Sequence, residues 1–80
     1  MATTTVSLTT SYQSISASGI IATMTSASGG KVFIANDPAS DVVKGHEVYS
    51  GRTNIFPVPS VGSWYAKIAS GSGTLTFSEI

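Results

Sequence analysis

The chain of 80 residues contains no cysteine, a single histidine and only eight formally charged side chains. No disulfide can form, and a structural zinc site, which takes four nitrogen or sulfur ligands, has almost no donors. The four basic and four acidic residues give a net charge of zero. Because the basic residues are scattered, the sequence lacks the basic stripe of nucleic-acid-binding proteins. These absences predict no metal site, no cofactor and no nucleic-acid partner.

Long apolar runs and a targeting segment are missing as well. The apolar runs are short, as in Ile20-Ile21-Ala22, whereas a membrane-spanning helix needs about 20 apolar residues. Residues 1–5, Met-Ala-Thr-Thr-Thr, contain neither the basic nor the apolar part of a secretory signal. The sequence predicts a protein that is made in a cytoplasm and has no membrane contact.

What the chain does contain is serine and threonine, which occupy 24 positions and alternate with single apolar residues. This alternation is typical of strands with one face in water. An 80-residue chain buries only about 60–65% of its unfolded surface, so its core gives marginal stability. Disulfides and zinc are excluded, so self-association or docking onto a larger body is the expected additional stabiliser.

Glycines and prolines divide the chain into short segments, and no segment shows a helical apolar pattern. We predict one all-β domain over residues 1–80, a small antiparallel β-sandwich or barrel of about seven short strands with little or no helix. The segments with strand character are residues 3–8, 12–17, 20–26, 31–36, 46–50, 53–58, 63–69 and 74–79.

Alternation also predicts which side chains face the core. Trp64, Ala66 and Ile68 are expected on one face, with Tyr65 and Lys67 on the other. In the other segments, the expected inward residues are Val6, Leu8, Ile15, Ala17, Ile20, Ala22, Met24, Leu75 and Phe77. Residues 31–36 are apolar on both faces, which predicts a central strand.

Turn residues predict the connections. Residues 27–30 (Ala-Ser-Gly-Gly) and 70–73 (Ser-Gly-Ser-Gly) are expected to form hairpin turns, because glycine tolerates the positive φ that such turns need. Pro57 and Pro59 cannot donate a ladder hydrogen bond, so the end of the strand 53–58 is expected to lie at an edge of its sheet or to leave the sheet.

Catalytic chemistry has few candidates. Only His46 could act as a base for a serine nucleophile, and its neighbour Glu47 points to the opposite face of a strand. Asp37 or Asp41 could reach His46 across a loop, but a solvated histidine is the favoured interpretation. A calcium site formed by Asn36 with these two aspartates lacks the spacing of a calcium loop. We therefore predict no catalytic residues, no metal ligands and no enzymatic activity.

Contact surfaces have better candidates. The N-terminal strand with Thr4, Val6 and Leu8 is uncharged, so residues 1–10 are a candidate exposed arm or edge strand for subunit contacts, with an ordinary edge strand as the alternative. Tyr12 and Tyr65 complete the predicted interface, because tyrosine is enriched at interfaces. A half-buried surface tyrosine is the alternative for Tyr65. A sugar-stacking platform would need Tyr12 to converge with Tyr49 and Phe56.

Four features follow the Ser/Thr-rich opening: the strand 31–36 with its Asp/Pro/Ser loop, the Gly-centred segment 46–51, Trp-Tyr-Ala-Lys at 64–67, and Gly-Ser-Gly-Thr-Leu-Thr at 71–76. This pattern resembles the small β-sandwich accessory proteins encoded among the structural genes of tailed bacteriophages, which include head decoration or cement proteins. The resemblance covers most of the chain and supplies no motif from which residue roles transfer.

The resemblance implies a structural virion protein that is made in the host cytoplasm and placed on the capsid surface. It implies a homotrimer whose partner is the major capsid protein and which stabilises a capsid at capsomer junctions. The alternative is a carbohydrate- or receptor-binding module of a phage tail or attachment fibre. That alternative requires aromatic rings grouped on one exposed face.

Overall fold

Eight strands make up the regular structure of the chain. The computed structural model describes residues 3–28, 31–40, 42, 45–48 and 53–80, and for residues 23–28 it describes the backbone alone. The strands are β1 (Thr3–Leu8), β2 (Gln13–Ser16), β3 (Ile20–Ser28), β4 (Val32–Asn36), β5 (His46–Val48), β6 (Asn54–Phe56), β7 (Trp64–Ile68) and β8 (Ser72–Glu79). The described residues form no helix, and hence none that could cross a membrane.

The strands pair into two four-stranded antiparallel sheets. The first sheet has the order β1-β8-β3-β6, and the second has the order β2-β7-β4-β5. Every pairing is antiparallel. This is the strand order of the jelly roll, an eight-stranded form of the β-sandwich. The predicted all-β class is confirmed, and of the two predicted architectures the chain adopts the sandwich.

Connections between consecutive strands mostly pass from one sheet to the other. Among the described strands, β4 and β5 are the only consecutive pair that share a ladder. The predicted hairpin at residues 70–73 is therefore wrong, because β7 and β8 belong to different sheets. The predicted hairpin at 27–30 is wrong for the same reason, since β3 continues to Ser28 and β4 lies in the other sheet; residues 29 and 30 lie outside the described residues.

The core lies between the two sheets and follows the predicted alternation. β7 buries Trp64, Ala66 and Ile68 while Tyr65 and Lys67 are half-buried on its outer face. The largest fully buried side chains are Val32, Ile34, Val48, Ile20, Ile68 and Leu75. Val32, Phe33, Ile34 and Ala35 are all buried, which confirms β4 as an inner strand with two apolar faces. The side chain of Met24 lies outside the description.

One predicted inward residue, Ala17, is exposed. The register between β2 and β7 shifts between Ser14 and Ser16, as at a β-bulge. The shift places Ser16 opposite Trp64, where it is buried, and β2 ends there. Ser16 is satisfied in that position because its hydroxyl donates a 2.7 Å hydrogen bond to Glu79 Oε2. Because of the bulge, Ser16 takes the buried position that was predicted for Ala17, and its hydroxyl is hydrogen-bonded there.

On β1 and β8, the outer face of the first sheet carries hydroxyl groups. Thr3 Oγ1 lies 2.9 Å from Ser78 Oγ, and Thr5 Oγ1 lies 3.0 Å from Thr76 Oγ1. These pairs join β1 to β8 through directly opposed residues. The wet face expected from the Ser/Thr alternation is therefore this side of β1 and β8.

Candidate functional site

Four of the five large apolar side chains that are exposed among the described residues lie at one end of the sandwich. They are Val42 (90% exposed), Val58 (72%), Val61 (61%) and Ile80 (68%), and we call them the apolar loop end. Val42 lies between β4 and β5, Val58 and Val61 lie between β6 and β7, and Ile80 follows β8. These connections converge because Asn36 at the end of β4 pairs with Trp64, and Glu79 at the end of β8 pairs with Ile20.

Ile80 and Val58 are brought together by Gly19. The Ile80 backbone nitrogen donates a 2.8 Å hydrogen bond to the Gly19 carbonyl oxygen. On its other side, a β-carbon at position 19 would lie 3.2 Å from both the Phe56 carbonyl oxygen and the Val58 nitrogen. Only glycine fits this approach without a shift of the neighbouring backbone, so it seats the 57–63 connection beside the C-terminal residue.

The Asn36 side chain ties the 57–63 connection to the end of β4. Its Nδ2 donates to the Val61 carbonyl oxygen at 2.7 Å and to the Ser63 carbonyl oxygen at 3.2 Å. Its Oδ1 accepts a 3.2 Å hydrogen bond from the Ser60 hydroxyl. One amide thus holds three residues of the connection, which places Val61 with its carbonyl oxygen hydrogen-bonded and its side chain in solvent.

Two residues with left-handed backbone conformation lie where this connection meets the end of β4. Asp37 has φ 47° and Gly62 has φ 58°, and Asp is one of the few residue types that adopt this region. The Asp37 nitrogen donates a 3.0 Å hydrogen bond to the Ser63 carbonyl oxygen. A β-carbon at position 62 would lie 2.9 Å from the Asp37 carboxyl carbon. The two turns therefore pack directly against each other.

Trp64 anchors the same connection to the core. Its indole nitrogen donates a 2.9 Å hydrogen bond to the Pro57 carbonyl oxygen. Its ring packs against Phe56 with centroids 5.3 Å apart. The connection is thus held at both ends by hydrogen bonds from Trp64, Asn36 and Asp37, and it carries aliphatic side chains on its outside. A surface of this kind is preorganised for contact, because little further ordering is needed when a partner covers it.

The described connections at the opposite end of the sandwich are mostly polar. The β1–β2 connection there includes Thr9, Thr10 and Ser11, and the β7–β8 connection includes Ser70 and Gly71; all of them are exposed. Thr9 and Ser11 hydrogen-bond to each other within their own connection. The described connections at the two ends therefore differ in chemistry, since one end exposes aliphatic side chains and the other exposes hydroxyl groups.

The residues predicted as an interface lie in two separate places. Thr4 is exposed on β1, Val6 is half-buried against the core, and Leu8 is only 3% exposed. Leu8 is corrected to a core residue, because its side chain has no free surface for a partner. Tyr12 and Tyr65 are instead half-buried on the second sheet.

Tyr12 and Tyr65 are held in place by neighbouring residues of the second sheet. The Tyr12 hydroxyl accepts a 3.1 Å hydrogen bond from the Gly45 nitrogen. The Lys67 ammonium lies 5.4 Å from the Tyr12 ring centroid, within the range of a cation–π contact. Tyr65 stands opposite Ala35 of β4 and Ser14 of β2. Both rings therefore pack on the sheet, and their interface role stays a prediction.

The candidates for chemistry do not form a cluster in the described part of the chain. His46 is exposed and its ring lies 6.0 Å from that of Phe56. Asn36, which was considered and set aside as a calcium ligand, has its side chain hydrogen-bonded to the 57–63 connection. Asp41 lies outside the described residues. No group of three potential metal ligands occurs among the residues that are described.

An open cleft lies between β5 and β6, which are the edge strands on the side of the sandwich away from β1 and β2. It measures about 540 Å³, and its lining includes His46, Glu47, Asn54, Phe56 and Trp64. The proposed platform of Tyr12, Tyr49 and Phe56 is not assembled here. Phe56 is 8% exposed, Tyr12 belongs to the second sheet's outer face, and Tyr49 is outside the described residues.

Sequence reasoning missed the apolar loop end, although a signal was present. Val58 ends the predicted strand segment 53–58 between Pro57 and Pro59, and Val61 stands beyond it, between Ser60 and Gly62. An aliphatic residue in such a loop has no inner face to occupy. No protein-family model matches the chain, and no curated protein or solved structure is significantly similar to it.

Proposed function

We propose that the chain is a non-enzymatic structural protein of a bacteriophage virion, which decorates and stabilises the capsid by binding the major capsid protein at capsomer junctions. The observation that carries the proposal is the apolar loop end: aliphatic side chains in water, two of them on a 57–63 connection that hydrogen bonds from Asn36, Asp37 and Trp64 hold in place. Exposed apolar patches that are rimmed by polar residues mark protein–protein interaction sites.

Burial of the apolar loop end would stabilise both the folded chain and the capsid. Moving a valine or isoleucine side chain from exposure to burial contributes about 1.5–3 kcal/mol. A partner that binds only the folded chain also raises its free energy of unfolding. The small core therefore gains from the contact, and the capsid gains a bridge across a junction. Jelly rolls occur among viral capsid domains, although a fold alone does not assign a function.

The test uses virions of the encoding phage, produced with and without this gene. We expect the protein in purified wild-type particles, and we expect particles lacking it to open at lower temperature. Adding back purified protein should restore the stability. Capsids that are equally stable without the protein, together with its absence from purified particles, would remove the proposal.

A matched pair of variants locates the contact. In Val58→Asp/Val61→Asp, both charges lie on the apolar loop end, and cosedimentation with gene-deleted capsids should weaken by about 100-fold or more, since about 3 kcal/mol of burial is lost. In Thr10→Asp/Ser11→Asp, the same two charges lie on the polar end and binding should be unchanged. Equal weakening by both pairs would indicate a general charge effect and contradict the assigned surface.

The cleft favours a second candidate function, a carbohydrate- or receptor-binding module of a tail or attachment fibre. Its lining combines aromatic rings with an amide and a carboxylate, the groups that orient a small polar ligand. Saturation-transfer NMR with sugar mixtures should then show contacts to Phe56 and Trp64 that Asn54→Ala weakens. Absence of any contact to the tyrosines, Phe56 or Trp64 would exclude this function.

A further inference from the structure

The four edge strands of the sandwich differ in how they are protected against pairing. Exposed edge strands are commonly protected from pairing with another chain by being short or by carrying a charge, a proline or a bulge. β2 carries a register shift between Ser14 and Ser16, and β5 is described over three residues that include His46 and Glu47. β6 is three residues long and is followed by Pro57. Each of these edges thus has at least one such feature.

β1 has none of these features. It runs for six residues, Thr3–Leu8, without a charge, a proline or a glycine. Its register with β8 is continuous from Thr3 opposite Ser78 to Leu8 opposite Gly73. The side of β1 that faces away from β8 therefore presents a regular row of backbone donors and acceptors, in which the Ser7 carbonyl oxygen accepts a 2.9 Å hydrogen bond from Gln13 Nε2 that a pairing strand would displace. Such an edge is a template for another strand.

We propose that β1 pairs antiparallel with β1 of a second copy of this chain, forming a two-fold dimer in which the two first sheets become one continuous sheet. The partner is a second copy because, among the described edges, only β1 matches β1 in length and lack of charge. A two-fold pair is also closed, so each unprotected edge covers the other and none is left for further growth.

The side chains of β1 are compatible with this pairing. A register centred on Thr5 places Thr3 opposite Ser7 of the second copy, so hydroxyls on the outer face meet hydroxyls. β1 already makes contacts of this type with β8, at 2.9 Å and 3.0 Å. The zero net charge of the chain adds no overall repulsion between two copies.

The dimer does not depend on the capsid proposal, and it differs from the homotrimer that the resemblance implies. It uses β1, at the edge of the first sheet, whereas docking uses the apolar loop end. A variant that separates the chains leaves Val58 and Val61 in place, and the variants of the apolar loop end leave β1 in place. Failure of one proposal is therefore visible without failure of the other.

The test is the solution mass by light scattering across a dilution series, for the wild type and two variants. Thr5→Lys puts a positive charge in the middle of the exposed edge, where the two-fold axis brings it against its own copy. Thr76→Lys puts the same charge on the neighbouring central strand and breaks the same 3.0 Å hydroxyl pair. Circular dichroism should show that both variants remain folded β proteins.

We expect twice the 8.2 kDa chain mass for the wild type and for Thr76→Lys, and half of that value for Thr5→Lys. A wild-type monomer at every concentration would overturn the inference, as would a mass of three chains. A Thr5→Lys variant that keeps the mass of the wild type would overturn it as well, because the pairing would then lie elsewhere.

Discussion

Replacement of Leu75 by alanine is expected to lower the free energy of unfolding by about 2–5 kcal/mol in urea or thermal denaturation. Leu75 is fully buried on β8, between β1 and β3 in the first sheet. The substitution removes buried methyl groups and leaves a cavity that two antiparallel neighbours cannot close. A chain of this length has only about 4–12 kcal/mol of stability in total. The variant should therefore be partly unfolded near physiological temperature.

The matched control is Val58→Ala at the apolar loop end. Val58 is 72% exposed, so this substitution should change the free energy of unfolding by less than about 0.5 kcal/mol. A similar loss for both variants would contradict the assignment of Leu75 to the core and of Val58 to the surface. Capsid binding reverses the ranking, because Val58 is in the proposed contact and Leu75 is not.

Binding also predicts how the Leu75→Ala variant behaves on a partner. A ligand present at 100 times its dissociation constant adds about 2.7 kcal/mol to the stability of the folded state. Gene-deleted capsids in excess should therefore raise the melting temperature of the variant, and the polar-end variant Thr10→Asp/Ser11→Asp should respond in the same way as the wild type. No rise for any of these proteins would count against docking at the capsid surface.

The faces of the strands could be predicted from the sequence because alternation reports burial directly. Trp64 and Ile68 face the core, and Leu75 does the same on β8, as the pattern indicates. The edge position of β6 also follows from Pro57, which cannot donate to a ladder. These features depend on residues close together in the chain, so a single sequence contains them.

The connections could not be predicted in the same way. A Ser/Gly segment such as 70–73 permits a tight turn, but it does not state whether the next strand joins the same sheet or the opposite one. In this fold nearly every connection crosses between sheets. The crossing is decided by which faces complete the core, and those faces come from strands far apart in sequence. Ala17 fails for a related reason, because a bulge at Ser14–Ser16 changes the alternation.

The candidate surface was missed because it is assembled from separate connections. Val61 lies in the connection between β6 and β7, whereas Ile80 follows β8, 19 positions later, and neither stands in an apolar run. Their exposure depends on the path of 57–63, which Asn36 and Gly19 hold from elsewhere in the chain. Alternation assigns residues to a face of one strand, whereas this surface belongs to an end of the sandwich.

Asn36 therefore holds the part of the apolar loop end that lies on the 57–63 connection, and Asn36→Ala has the second large expected effect. The substitution removes both hydrogen bonds to carbonyl oxygens of the 57–63 connection and the one from Ser60. Loss of these bonds should lower the free energy of unfolding by about 1–3 kcal/mol. The amides of residues 60–63 should also exchange hydrogen faster, since the connection is no longer tied to β4.

Ser60→Ala is the matched control, since it removes only the 3.2 Å bond to Asn36 Oδ1 at an exposed position. Its loss should be about 0.5 kcal/mol or less, at the lower limit for one hydrogen bond. If preorganisation sets the affinity, Asn36→Ala should weaken capsid binding by about tenfold while Val58 and Val61 are still present, because the connection must then be ordered on binding. Unchanged binding in a destabilised Asn36→Ala variant would mean that the aliphatic side chains dock without a preformed loop. Unchanged stability would mean that Asn36 does not hold the connection.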